Sequence, residues 1–383
     1  MALWAVLVVT LATGALVAMQ TMPTIVAASP PTGAGAVAEV LREVNPSVVS
    51  IDAASAAFIA GAGNQAEHPG VGKGSGFFID DRGHVVTNYH VVSDATDLRL
   101  TLHDGTVVSG VVVGRDPTSD LALIEARSVA GRSRPVRFGD SRAVRVGDPV
   151  IAIGDPYGLQ RTVTLGAISG LDRAVQGPDG RMMPAMLQLD AAIGPGNSGG
   201  PLLNARGDVI GIVTARVTAA QAFGFAAPIE RVRRVTSALI ESGQVDYGWL
   251  GISGTANPAG STLTPTAIRP RGVLIQRVAY GGPAHRAGLR GPQSFRFVAS
   301  GSAGGTVVSE GGDLITAVDG HPVVSPCDLT RYLRDEKRPG ESIVLDVERD
   351  GRASTRTVVL GQWPSAGGDP APTMQNDRGQ DDW

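Results

Sequence analysis

Gly194-Pro195-Gly196-Asn197-Ser198-Gly199-Gly200-Pro201-Leu202 decides how this chain is read. A serine sits among glycines, at the end of one apolar run and just before another. Glycine lets a backbone enter conformations closed to other residues. A turn of this kind can aim two N–H groups at one point beside the Ser198 hydroxyl. Acyl transfer needs that pairing of a nucleophile with donors for the oxyanion formed on attack. A glycine-rich hairpin between two strands is the plainer reading of the same residues. The choice between them rests on whether the rest of the chain supplies a base and an orienting acid.

The base is sought among six histidines. His68, His84, His103 and His321 fall in loop or turn contexts, and His285 in a short helix. Only His90 ends a strongly apolar strand-like run, Val85-Val86-Thr87-Asn88-Tyr89, where its ring can be held rigidly. That favours His90 as the titrating group. Asp120 and Asp190 both adjoin strand-like runs after it, and spacing does not choose between them. Asp116 reads as a turn residue before Pro117.

The surroundings are those of a β-rich chain. The 383 residues allow two domains. Many glycines and few aromatics suit short strands separated by turns. Gly70-Val71-Gly72-Lys73-Gly74-Ser75-Gly76 superficially resembles a phosphate-binding loop. The strand-like Phe77-Phe78-Ile79 that follows excludes it, because phosphate loops open a helix. Apolar spacing predicts helices from Val37 to Val44, stopped by Pro46, and from Pro228 to Ser242, stopped by Gly243. A second unit begins near Tyr247. Within it, residues 290–312 read as an insertion, and Ser325-Pro326-Cys327-Asp328 as a capped helix start.

Three separated segments then acquire a common meaning. Thr87-Asn88-Tyr89-His90-Val91, Ser119-Asp120-Leu121-Ala122 and Gly196-Asn197-Ser198-Gly199-Gly200-Pro201-Leu202 resemble the catalytic segments of HtrA/Deg serine proteases, in the same order. The resemblance covers roughly residues 37–361. It implies a mostly β fold: a chymotrypsin-like double β-barrel followed by a small α+β PDZ domain. It implies His90 as general base, Asp120 as its orienter and Ser198 as nucleophile. The oxyanion hole would be formed by the N–H groups of Gly196 and Ser198, with Asn197 between them. Gly194 departs from the family's usual asparagine and would loosen this loop. Trp249-Leu250-Gly251-Ile252 resembles the carboxylate-binding loop of the PDZ domain, where a peptide C-terminus adds a strand to the sheet edge. The helix from Pro326 would form the other wall, with Leu333 as a pocket residue; the alternative is that these apolar residues are core.

The expected organisation is a signal peptide or membrane anchor over 1–28, a linker over 29–36, the protease domain over 37–243, the PDZ domain over 247–361 and a disordered tail over 362–383. The apolar run over residues 2–19 is about long enough to cross a bilayer and equally suits a secretion signal. Either places the remainder outside the cytoplasm, in the periplasm or beyond. No basic stripe points to nucleic acid at a net charge of −3. The lone Cys327 allows no internal disulfide and sits at a helix start, not in a nucleophile setting. The resemblance implies no cofactor or metal. It implies a homotrimer, and unfolded or tagged proteins as substrates of an ATP-independent endopeptidase. The stretches expected around the specificity pocket, the loop before Ser198 and Ala222-Phe223-Gly224-Phe225-Ala226, argue against basic side chains at the cut bond. The resemblance implies small or aliphatic ones. A peptide-binding chaperone without activity is the competing reading, and an intact triad argues against it.

Overall fold

The computed structural model describes residues 35–54, 71–155, 162–177, 182–214, 223–257, 271–299, 305–363 and 374–375. The expected signal or anchor and the linker before Gly35 lie outside the described residues. Among the described residues no helix is long and apolar enough to cross a membrane.

The chain enters through helix α1 (Ala36–Val44), whose Val40 and Val44 are buried, and Pro46 turns it into a short 3-10 segment. The first sheet comprises β1 (Val48–Ala54), β2 (Val71–Phe78), β3 (His84–Thr87), β4 (Asp97–Thr101), β5 (Val107–Ser109), β6 (Val111–Asp116) and β7 (Leu121–Glu125), with a single-turn helix α2 (Tyr89–Val92) after β3. Its order is β5-β4-β1-β2-β3-β7-β6, antiparallel throughout. The second half is a closed barrel of β8 (Pro149–Gly154), β9 (Thr162–Gln176), β10 (Met182–Leu189), β11 (Pro201–Leu203), β12 (Val209–Thr214) and β13 (Gly224–Pro228), in the order β10-β13-β12-β11-β8-β9. Helix α3 (Ile229–Ser242) closes this domain and ends on Gly243, which takes the left-handed conformation at φ 74°.

One apolar cluster joins the two halves. Phe77, Val86, Leu121 and Leu123 from the first sheet meet Ile153, Leu203, Ile212 and Phe225 from the second, with Val232, Val235 and Leu239 of α3 laid over them. Each half also keeps a core of its own. The glycine-rich stretch before Phe77 is strand β2. One expectation is corrected. The run from Val85 to Val92 is not one strand: it breaks at Asn88, which is fully buried and whose Nδ2 donates to the Asp120 carbonyl and to Thr214 Oγ1.

The second unit carries β14 (Gly248–Trp249), paired with β23 (Gly361–Gln362), and a sheet ordered β15-β16-β19-β21-β22 from β15 (Ile252–Asn257), β16 (Gly272–Ala279), β19 (Leu314–Val318), β21 (Ser342–Arg349) and β22 (Arg352–Val359). A short β20 (His321–Pro322) extends β19. Helices α4 (Pro283–Arg286) and α5 (Pro326–Glu336) pack on this sheet. The start of α5 is a reciprocal cap: Ser325 Oγ accepts from the Asp328 N–H and the Asp328 carboxylate from the Ser325 N–H. The region read as an insertion forms a separate hairpin, β17 (Ser294–Ala299) with β18 (Gly305–Glu310). Part of the expected disordered tail is ordered here, since Met374–Gln375 pairs as β24 with β16. Val278 pairs with both Ile252 and Gln375, so β24 lies on the side of β16 away from β15 and leaves the β15 edge open.

Candidate active site

The site lies where the two halves of the first domain meet. Asn88 ends β3 in an extended conformation and starts α2, which presents His90 on its first turn. Asp120 closes the loop between β6 and β7 with φ 55°, a left-handed conformation unusual for a residue with a side chain. Its carboxylate is buried and contacts His90 Nδ1 through both oxygens, at 3.0 and 2.8 Å. One of those oxygens also accepts the His90 N–H at 3.0 Å. The Asp120 carbonyl accepts the Tyr89 N–H at 3.1 Å and Asn88 Nδ2 at 2.8 Å. Backbone and side chain of one aspartate therefore fix both the position and the tilt of the imidazole. A carboxylate on Nδ1 selects the tautomer with the proton there, leaving Nε2 as the basic nitrogen.

Asp190 is not brought to this site. It is exposed, and its carboxylate accepts the Ala167 N–H of β9 at 2.6 Å. Asp116 is the last residue of β6, just before the turn at Pro117; its carboxyl accepts the Thr118 N–H at 3.1 Å and it is buried.

Ser198 comes from the other half, in the loop between β10 and β11, and is buried. Gly196 and Gly199 on either side take φ 98° and 86°, which bends the loop as the sequence led one to expect. The Asn197 N–H donates to the Gly194 carbonyl at 3.1 Å and the Gly200 N–H to the Asn197 carbonyl at 3.0 Å. The turn at Gly194 is thus closed by backbone alone. Among the described residues neither the Gly196 nor the Ser198 N–H donates to a protein acceptor, and the Ser198 hydroxyl makes no hydrogen bond to His90. Such contacts are often long without substrate and tighten when it binds.

Sequence reasoning missed Ser75. Lying fully buried on β2, it receives the Thr87 hydroxyl on its carbonyl at 2.7 Å, from the histidine side. On the serine side its N–H donates to the Ser198 carbonyl at 2.8 Å, and its hydroxyl donates to the Gly196 carbonyl at 2.8 Å and accepts the Asp155 N–H at 2.9 Å. Ser75 thus ties the two halves to each other. Asn88 adds a second tie, because its Nδ2 also donates to Thr214 Oγ1 of β12 at 2.9 Å. The available signal was a polar residue inside an apolar strand, flanked by glycines. Gly74 shows why they are glycines: a Cβ there would lie 2.5 Å from Val91 Cγ1 and 3.3 Å from the Ser198 carbonyl oxygen.

Beside the Ser198 loop the described walls are apolar. Ala191, Phe225 and Ala226 are buried, and a Cβ on Gly224 would meet Ile193 Cγ1 at 2.4 Å, so β13 lies directly against the segment before the serine.

In the second unit the Leu250 and Gly251 carbonyls are engaged by the Ala284 and Ala279 N–H groups. Among the described residues their own N–H groups donate to no protein acceptor. Gly251 has φ 79°. Trp249 and Ile252 are partly buried, and β15 is the open edge of the sheet facing α5. Leu333 is buried in the core of this unit with Leu250 and Leu329.

The trypsin-like peptidase domain family matches residues 74–212, and the PDZ domain family residues 248–360. HhoA of Synechocystis sp., named as a serine protease, is 39% identical over 306 residues, covering 76% of this chain and 71% of its own. The chain belongs to the HtrA/Deg family of serine proteases. Protease Do-like 1 of the Arabidopsis thaliana chloroplast is 38% identical over 293 residues, 76% of this chain. This HtrA/Deg chain spans 63% of that relative and 55% of a Chlamydia trachomatis protein named as a DegP-like periplasmic serine endoprotease. Among solved structures, the HtrA-type protease AlgW with a tripeptide superposes with a TM-score of 0.67 at 29% identity, over 86% of this chain and 98% of that one.

Proposed function

We propose that this serine protease is an ATP-independent endopeptidase that cleaves unfolded or tagged proteins outside the cytoplasm, with Ser198, His90 and Asp120 as its triad. The observation that carries the reading is the pairing of His90 Nδ1 with the buried Asp120 carboxylate, on a frame bonded through Ser75 to the Ser198 loop. In this reading Nε2 of His90 takes the Ser198 hydroxyl proton as Oγ attacks the peptide carbonyl. The N–H groups of Gly196 and Ser198, one on each side of Asn197, receive the oxyanion. Asp120 stabilises the imidazolium, which passes its proton to the leaving amine; water then enters by the same base and releases the acyl group.

The apolar walls from Ala191 to Ile193 and from Gly224 to Ala226 favour a small or aliphatic side chain before the cut bond. The N–H groups of the Trp249-Leu250-Gly251-Ile252 loop would hold a peptide carboxylate, with the peptide running along β15 and Leu333 flooring the pocket from beneath. Export rests on the apolar N-terminal run and on the periplasmic naming of the DegP-like relatives. A homotrimer follows from family resemblance alone.

The test is the purified full chain incubated with an unfolded protein beside Ser198→Ala. Cleavage by the first and none by the second is expected. Equal absence of cleavage from folded samples would overturn the protease reading in favour of a peptide-binding chaperone. Mass mapping of the cut sites checks the pocket, and sedimentation the trimer.

A further inference from the structure

The loop that carries Asp120 is held from behind by the other domain. Asp116, at the end of β6, and Ser119 are both buried. The Asp116 carboxyl accepts the Thr118 N–H, the Ser119 hydroxyl and the phenol of Tyr247, which is itself buried and stands where the PDZ unit begins. Arg334, partly buried on α5, reaches the same loop: its Nη1 donates to the Thr118 carbonyl at 3.4 Å. Its guanidinium is also close enough to stabilise negative charge on Asp116. A neighbouring pair repeats the pattern, since buried Arg231 of α3 lies 3.7 Å from Asp335 of α5 and bonds the Pro184 carbonyl at 2.8 Å.

Behind Asp120, the Asp116 carboxyl thus ends on Tyr247, the Thr118 carbonyl on Arg334, and the Thr118 N–H and Ser119 hydroxyl on Asp116 itself. The segment also contains the left-handed Asp120, a conformation that persists only where its surroundings over-determine it. Loss of the rear contacts lets Asp120 relax toward an ordinary backbone, and the carboxylate then leaves Nδ1 of His90.

We infer that Asp116, Tyr247 and Arg334 are positioning residues for the triad acid, so that the PDZ unit supplies part of the support on which proteolysis depends. This rests on Asp120 being the triad acid.

The experiment uses the full chain and measures the rate at which a fluorophosphonate probe labels Ser198, a reaction that needs the triad but no PDZ ligand. Tyr247→Phe removes a single hydroxyl, and Arg334→Leu removes the charge from the PDZ side. Each is expected to slow labelling about tenfold per folded molecule, with KM for a short peptide substrate unchanged and kcat lowered. Arg334→Lys is expected to restore most of the rate. Asp120→Asn separates the two layers of the argument. If it labels at the wild-type rate, the triad reading itself fails. If it is dead while folded Tyr247→Phe and Arg334→Leu both label like wild type, the triad stands and the positioning role is overturned. Should Tyr247→Phe not fold, Arg334→Leu with its lysine counterpart decides the question.

Discussion

Replacing Ser75 by alanine removes one hydroxyl from a fully buried position and leaves two backbone groups short of a partner. The Gly196 carbonyl loses its 2.8 Å donor and keeps only the long 3.4 Å contact from the Asp155 N–H. That N–H in turn loses its 2.9 Å acceptor. Each buried group left unmet costs about 1–3 kcal/mol, and the surviving contact places the sum near the low end, about 2 kcal/mol. For a domain of this size that lowers Tm by roughly 4–8 °C. The Gly196 carbonyl is also the handle that orients the peptide on the way to Ser198. If most of the loss is expressed as loop freedom, kcat falls on the order of 10- to 100-fold, since about 1.4 kcal/mol is one decade of rate. The assay is steady-state cleavage of a fluorogenic peptide with scanning calorimetry on the same sample. The expected result is a lower kcat, a near-constant KM and a modest Tm drop. A kcat within twofold of wild type alongside that Tm drop would refute the reasoning and reduce Ser75 to a structural joint.

Gly154→Ala would put a Cβ 2.5 Å from Asn197 Oδ1 and 2.7 Å from its Cα, so probe labelling of Ser198 should fall at least tenfold; wild-type labelling would show that the loop accommodates the methyl. Asp313 is fully buried, bonded by Arg349 at 2.6 and 2.7 Å and by the Arg290 N–H at 3.0 Å. Asp313→Asn should destabilise the PDZ unit by about 3 kcal/mol while leaving the peptidase transition in place, as calorimetry would resolve. Burial pushes the Asp116 carboxyl above its ordinary value despite its three hydrogen bonds. The folded chain therefore holds that proton more tightly than the unfolded one, so its contribution is fullest below the ordinary value and is lost as pH rises through the raised one. The stability difference between wild type and Asp116→Asn should decline from pH 4 upward, and a flat or rising difference would contradict the burial argument.

The sequence made the pieces of the proposed triad legible because each is short and chemically unusual: a histidine ending an apolar run, an aspartate opening one, a serine among glycines. What it left undecided was distance. Asp120 and Asp190 occupy equivalent positions along the chain, and only β3 and β7, paired from Thr87 to Ala122, bring one of them to His90. The helices at Ala36, Ile229 and Pro326 were readable because caps and apolar spacing are local. The break at Asn88 was not, because its cause is a pair of bonds to residues 32 and 126 positions away. Ser75 escaped for the same reason: a serine that joins two sheets looks, in sequence, like a serine in a strand. Tyr247 reads only as the start of a second unit, and Arg334 carries no signal of its own; both gain meaning only against the Asp116 loop.

The division of the proposed triad between two sheets has a consequence for how the chain would respond to heat. His90 and Asp120 belong to one sheet and Ser198 to the other, and Ser75 is the clasp. Slippage at the clasp would part the proposed base from the proposed nucleophile while each sheet retained its own core. A site so divided would act as a thermal fuse, falling silent before the chain melts. Under the proposed function, a molecule beginning to fail in the stress that unfolds its substrates would stop cutting before it became a substrate itself.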